Sequence, residues 1–155
     1  MAKKEQKSLE AAIELLMKQH DEVDDMFGEY KKLMDLEAPA NKRKALADKI
    51  CGALTAHAEL EESIFYPAAR DALPEEQEEI MDHADVEHAT LKGLITRIES
   101  SPGDDPHFDA LVHVMAEYVK HHVEEEENQM FSELRKVEAD MSDVLSEMQA
   151  EATPA

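Results

Sequence analysis

Apolar residues recur at alternating steps of three and four along four segments of this chain, and that spacing leaves few folds open to it. Each residue of an α-helix turns about 100° from its predecessor, so such steps keep a single stripe on one face. The first stripe reads Ile13, Leu16, His20, Val23, Phe27, and the second Ile50, Leu54, His57, Glu61, Ile64. The third reads Ala84, His88, Leu91, Ile95, Ile98, and the fourth Leu111, Met115, Tyr118, His122, Glu126, Gln129. With four Gly, no Trp and none of the β-branched, aromatic-rich runs of strands, the chain is expected to be helical throughout.

Punctuation sets the segment ends. Ser8 is a good N-cap for a first helix reaching about Met34, and Glu37-Ala38-Pro39-Ala40 interrupts it. Asn41 opens a second helix that ends before Pro67, with a further turn to Leu73. Pro74 opens a third, carrying Glu75, Glu76, Glu78 and Glu79 at its positive end. The run Ser100-Ser101-Pro102-Gly103-Asp104-Asp105-Pro106 is a loop, and a fourth helix follows from Asp105 to at least Leu134. A short polar helix over Glu138 to Met148 ends in residues expected to fray. The expected fold is all-α: an up-down-up-down four-helix bundle with a short C-terminal extra helix. Residues 1–7 are expected as a disordered tail, 8–135 as the bundle, and 136–155 as a polar helix and tail.

The 155 residues suit one domain with a core of its own. Sixteen Lys and Arg stand against 37 Asp and Glu, a net charge of −21. So acidic a surface repels nucleic acid and anionic membrane, and no apolar run is long enough to span a bilayer. The charged start, Met1-Ala2-Lys3-Lys4-Glu5-Gln6, lacks the apolar stretch of a signal peptide, and the single cysteine, Cys51, cannot form an internal disulfide. A cytoplasmic setting is expected. The oligomeric state is not legible in the sequence.

Six residues break the stripes where leucine would be the ordinary choice: His20, His57, Glu61, His88, His122 and Glu126. In His57/Glu61 and in His122/Glu126 the two residues are four apart, about 40° around the axis, so imidazole and carboxylate project together. Burying these groups with no Lys or Arg beside them is very costly, and a bound cation offsets that cost. His83 and His113 fall on outer faces, and His107 lies in the first turn of its helix. His121 and Glu125 repeat the spacing of His122 and Glu126 one residue earlier; the stripe through Met115, Tyr118 and Gln129 selects the later pair. Mixed imidazole and carboxylate donors suit Fe, Mn or Zn. Two ions sharing two bridging carboxylates, with two histidines each and an oxo or hydroxo group completing the bridge, use all six. No Glu lies three residues before any His, so the ferritin-like pattern of Glu-x-x-His is absent.

Four stretches carry a family resemblance: Leu15 to His20, His57 to Pro67, Val86-Glu87-His88, and Tyr118 to Glu127. Their order His, His-x-x-x-Glu, His, His-x-x-x-Glu resembles the hemerythrin-like, or HHE cation-binding, proteins over about residues 10 to 135. The resemblance implies a non-haem di-iron centre in a four-helix bundle, held by His20, His57, Glu61, His88, His122 and Glu126. Two departures bear on function. Oxygen-carrying hemerythrins have a further histidine four before the third-helix one, where this chain has Ala84, and they close on His-x-x-x-x-Asp rather than His122-x-x-x-Glu126. One nitrogen donor is thus missing, and Tyr118, one turn before His122, is the candidate to fill the gap, either as a donor or as a phenol packed under the site. Such a centre can bind O2, hydrogen peroxide or nitric oxide. The leading expectation is handling of reactive oxygen or nitrogen species, most specifically catalase-like decomposition of hydrogen peroxide, with Tyr118 tuning the potential or donating a proton. The second is an O2- or NO-binding, iron-sensing or iron-storage module without turnover.

Overall fold

The structure is a computed structural model that describes residues 2–152, with side chains from Gln6 onward. Every regular element among the described residues is helical. Helix α1 spans Ala2–Asp35 and α2 spans Ala40–Leu60. A π turn at Glu61–Phe65 leads from α2 straight into α3, Tyr66–Ala72. A 3-10 turn at Glu75–Gln77 opens onto α4, Glu78–Ser100. Helix α5 spans Phe108–Glu125, passes through a second π turn at Glu126–Met130, and continues as α6, Phe131–Lys136. Helix α7, Ser142–Ala152, closes the described chain.

Most segment ends fall within a few residues of expectation, and the differences have local causes. Helix α1 is helical from Ala2, ahead of the expected start at Ser8, so most of the expected tail at 1–7 is helix. It stops without a glycine: Glu37 takes a left-handed φ of 53°, while Ala38 N–H bonds Leu33 O and Glu37 N–H bonds Met34 O, closing the last carbonyls. Glu138 ends α6 the same way, with φ 51°. The short last helix lies four residues later than expected, and the final residues expected to fray, 153–155, lie outside the described ones.

The core is divided in two. One cluster gathers Leu9, Ile13, Leu16, Phe65, Met81, Phe131 and Leu134, with Met148 of α7 fully buried among them. The other gathers Val23, Ile50, Leu54, Leu91, Ile95, Phe108 and Met115. Helix α7 thus covers the first cluster rather than trailing from it. It packs against α1, α2 and the first π turn. Beside the second cluster, Arg43 and Tyr30 both donate to Asp109 at 2.6 Å, and Lys44 donates to the last carbonyls of α4, Ile98 O at 2.8 Å and Glu99 O at 3.0 Å. The polar stripe residues sit between the two clusters.

Candidate metal centre

All six stripe-breaking residues converge on that middle layer. His20, Glu61, His88, His122 and Glu126 are buried, and His57 is half-buried. Their donor atoms form two groups: His20, His57, Glu61 and Glu126 in one, and Glu61, His88, His122 and Glu126 in the other. The two carboxylates belong to both groups. His57 Nε2 and His88 Nε2 each lie 3.2 Å from Glu61 Oε1, and His20 Nε2 lies 3.2 Å from Glu126 Oε1. Donors held about 2.1 Å from one ion at right angles lie about 3 Å apart, so the spacings suit a common cation.

Four buried atoms in this layer have no hydrogen-bond partner: His20 Nε2, His57 Nε2, Glu61 Oε2 and Glu126 Oε1. They come one from each member of the first group. A buried unpartnered polar atom costs about 1–3 kcal/mol, more when charged, and four together call for a positive charge between them. Among the described residues, no lysine or arginine is hydrogen-bonded or ion-paired to any of the six; Lys92 pairs instead with Glu62. The donor set, imidazole nitrogens and carboxylate oxygens, fits a first-row transition metal cation.

The second group is completed from an unexpected place. Tyr66 Oη bonds Glu126 Oε2, lies 3.2 Å from His88 Nε2 and 3.4 Å from His122 Nε2, and donates to Glu61 Oε1 at 3.3 Å. Burial, then the nearby charges of Glu126 and Glu61, push its phenol well above the usual range. Tyr118, the expected occupant of this role, is instead half-buried against the second core cluster. A period of 3.6 conceals Tyr66, because five residues of α-helix would set it roughly 140° away from Glu61. The π turn removes that offset. Tyr66 N–H reaches back to Glu61 O, an i to i+5 bond that stacks residue 66 over residue 61. The second π turn does likewise for Phe131 over Glu126, so Met130 and Phe131 are buried where the stripe put Gln129, which is exposed.

Each inward histidine is held by its other ring nitrogen, and the partners make a ring around the bundle. His57 Nδ1 bonds Gln19 Oε1 at 2.5 Å, His88 Nδ1 bonds Glu62 Oε2 at 2.8 Å, His122 Nδ1 bonds Glu87 Oε1 at 2.8 Å, and His20 Nδ1 bonds Glu127 Oε2 at 2.9 Å. Each acceptor is the chain neighbour of a stripe residue on one segment and braces the histidine of the next. Such bonds fix the ring orientation and raise the basicity of the inward nitrogen. Burial would lower His20 and His122, but the Glu126 carboxylate beside both dominates and lifts them to about 9 and about 10. Burial opposes the charged form of Glu126 too, yet the neighbouring imidazoles of His122 and His20 hold it well below the usual carboxylate range. Without a cation these two imidazoles therefore favour their protonated forms. His83, His107, His113 and His121 are exposed, and His121 pairs outward with Glu125 at 3.1 Å.

A family model, the hemerythrin HHE cation-binding domain, matches residues 11–134. The chain belongs to this family. Its His and Glu groups are accordingly read as a cation-binding centre of a helical hemerythrin domain. The chain is also 31% identical over 117 residues to a protein named DNA nickase from Nostoc sp. strain PCC 7120. That alignment covers 75% of this chain but only 31% of the Nostoc protein. No solved structure matches the chain. No described helix is long and apolar enough to cross a membrane.

Proposed function

We propose that this hemerythrin domain holds two iron ions, one in each group, and decomposes hydrogen peroxide. The reading takes the four long segments as an up-down-up-down bundle, which their short connections favour. His20 and His57 would hold one ion, His88 and His122 the other, and Glu61 and Glu126 would bridge them, with an oxo or hydroxo group between. The observation that carries it is the set of four unpartnered buried atoms shared among His20, His57, Glu61 and Glu126. Iron bound there would supply the two-electron exchange by which one peroxide is reduced to two waters with the two protons and two electrons released when a second is oxidised to O2. The protein's own part is to orient the imidazoles through the Gln19, Glu62, Glu87 and Glu127 braces and to exclude bulk water with the two core clusters. With no cation bound, Tyr66 Oη keeps its proton between Glu61 and Glu126, and it would give that proton up on binding an ion. Cys51, buried and free, fits a reducing cytoplasm. The name of the Nostoc protein does not carry over, because a chain of charge −21 opposes a polyphosphate partner.

A second reading has its own support. An enclosed space of about 20 Å³ is bordered by all four inward histidines with Leu54, Leu91 and Val119. It has room for one water-sized or diatomic molecule, which favours binding of O2 or NO, or iron sensing or storage, without turnover. Elemental analysis with a peroxide assay on the same sample tests both. About two irons per chain with O2 release that vanishes on iron removal is the expected result. Equal activity in metal-free protein overturns catalysis at this site, and two irons without turnover leave the binding module.

A further inference from the structure

We infer that the two cation positions are unequal, the one at His20 and His57 exchanging its ion readily and the one at His88 and His122 retaining it. This rests on the metal reading above and adds a rank order to it.

Donor number is the first reason. The His88 and His122 position can draw on five side chains, since Tyr66 Oη lies among its four His and Glu donors; the other position has four. Bracing is the second. His88 and His122 both lean on carboxylates, and Lys92 fixes Glu62 at 2.5 Å, whereas His57 leans on the neutral amide of Gln19. A weaker brace leaves a less basic and less firmly aimed imidazole.

Access is the third reason. A cavity of about 420 Å³ opens beside His57, lined also by Gln19, Glu22 and Glu59. A groove of about 200 Å³ reaches His20. His122 meets only two spaces of about 20 Å³ each, one next to Ala84 and the one bordered by all four histidines. The larger cavity lets water reach the donors left bare when the first ion departs, and its carboxylates draw the next cation in. On the other side, the Tyr66 hydroxyl closes the approach.

The test is a chelator challenge of the full chain loaded with cobalt(II), followed by its visible absorption and by elemental analysis. Two phases are expected, each of one ion per chain, with rates differing by about tenfold or more, the scale on which single supporting contacts alter metal affinity. His57→Gln should abolish the fast phase and keep the slow one, and His88→Gln should do the reverse. Refilling the half-emptied wild-type protein with zinc(II) should give one cobalt and one zinc per chain, a result that needs no variant to fold. Loss of both ions in one phase, or a fast phase that survives in His57→Gln, overturns the ranking. Wild-type protein that takes up no cation overturns the metal reading beneath it.

Discussion

The segment α2–α3 and the segment α5–α6 are built alike and end differently. Each carries a histidine, a glutamate four residues on, and a π turn that begins at that glutamate. In each, the residue five past the glutamate is turned inward by the same i to i+5 bond, but it is Tyr66 in one and Phe131 in the other. Both rings sit in the first apolar cluster, where Phe131 meets Phe65 edge-on at 5.8 Å, while the Tyr66 hydroxyl reaches into the polar layer. The comparison teaches that one backbone device serves both packing and chemistry, and that a single hydroxyl decides which. It also shows why the centre is lopsided although its six His and Glu donors are nearly symmetric.

The largest break in the comparison comes from the shared carboxylates. Glu61→Gln and Glu126→Gln should each reduce the metal content below one ion per chain by elemental analysis, because each oxygen pair serves both groups. If one variant kept both ions, the two segments would not be equivalent bridges. Next come the rings: Phe65→Ala and Phe131→Ala should each destabilise by about 3–5 kcal/mol in urea unfolding, both side chains being fully buried. Their double variant should fall short of the sum by about 0.5–1.5 kcal/mol, the coupling of an aromatic pair.

Exchanging the distinguishing hydroxyl sharpens the contrast further. Tyr66→Phe makes the segments alike; in metal-free protein it should destabilise by about 1–3 kcal/mol by removing the phenol's bond to Glu126 Oε2, and it should slow peroxide decomposition. Phe131→Tyr buries a hydroxyl in the apolar cluster and should destabilise by about 1–3 kcal/mol with metal content unchanged. The smallest effect belongs to His121→Ala. An exposed imidazole paired with Glu125 should leave stability within about 0.5 kcal/mol and metal content intact. A lost ion there would mean that His121, not His122, serves the site.

The six His and Glu residues were legible because a helical stripe makes a buried polar side chain conspicuous by position alone. His20, for instance, stands between Leu16 and Val23, and both are buried. Tyr66 was not legible, because its place depends on a π turn, and nothing in a 3.6-residue period announces one. The second π turn displaced Gln129 in favour of Met130, and the fourth stripe ran along Tyr118 where Val119 is the buried residue. The braces were hidden for another reason. Gln19, Glu62, Glu87 and Glu127 stand beside the stripe rather than on it, and their partners lie 38, 26, 35 and 107 residues away. The signal, in hindsight, is a Gln or Glu directly beside a stripe residue of the layer on all four segments.

The ring of braces also carries a consequence for how such sequences diverge. Because each acceptor stands next to one segment's stripe residue and serves the next segment's histidine, no segment can drift alone. A change at position 87 is felt at 122, and a change at 127 is felt at 20. Across homologues, positions 19 and 57, 62 and 88, 87 and 122, and 127 and 20 should therefore covary as pairs. The histidine-bearing segments would then be inherited as one linked set rather than as separable parts.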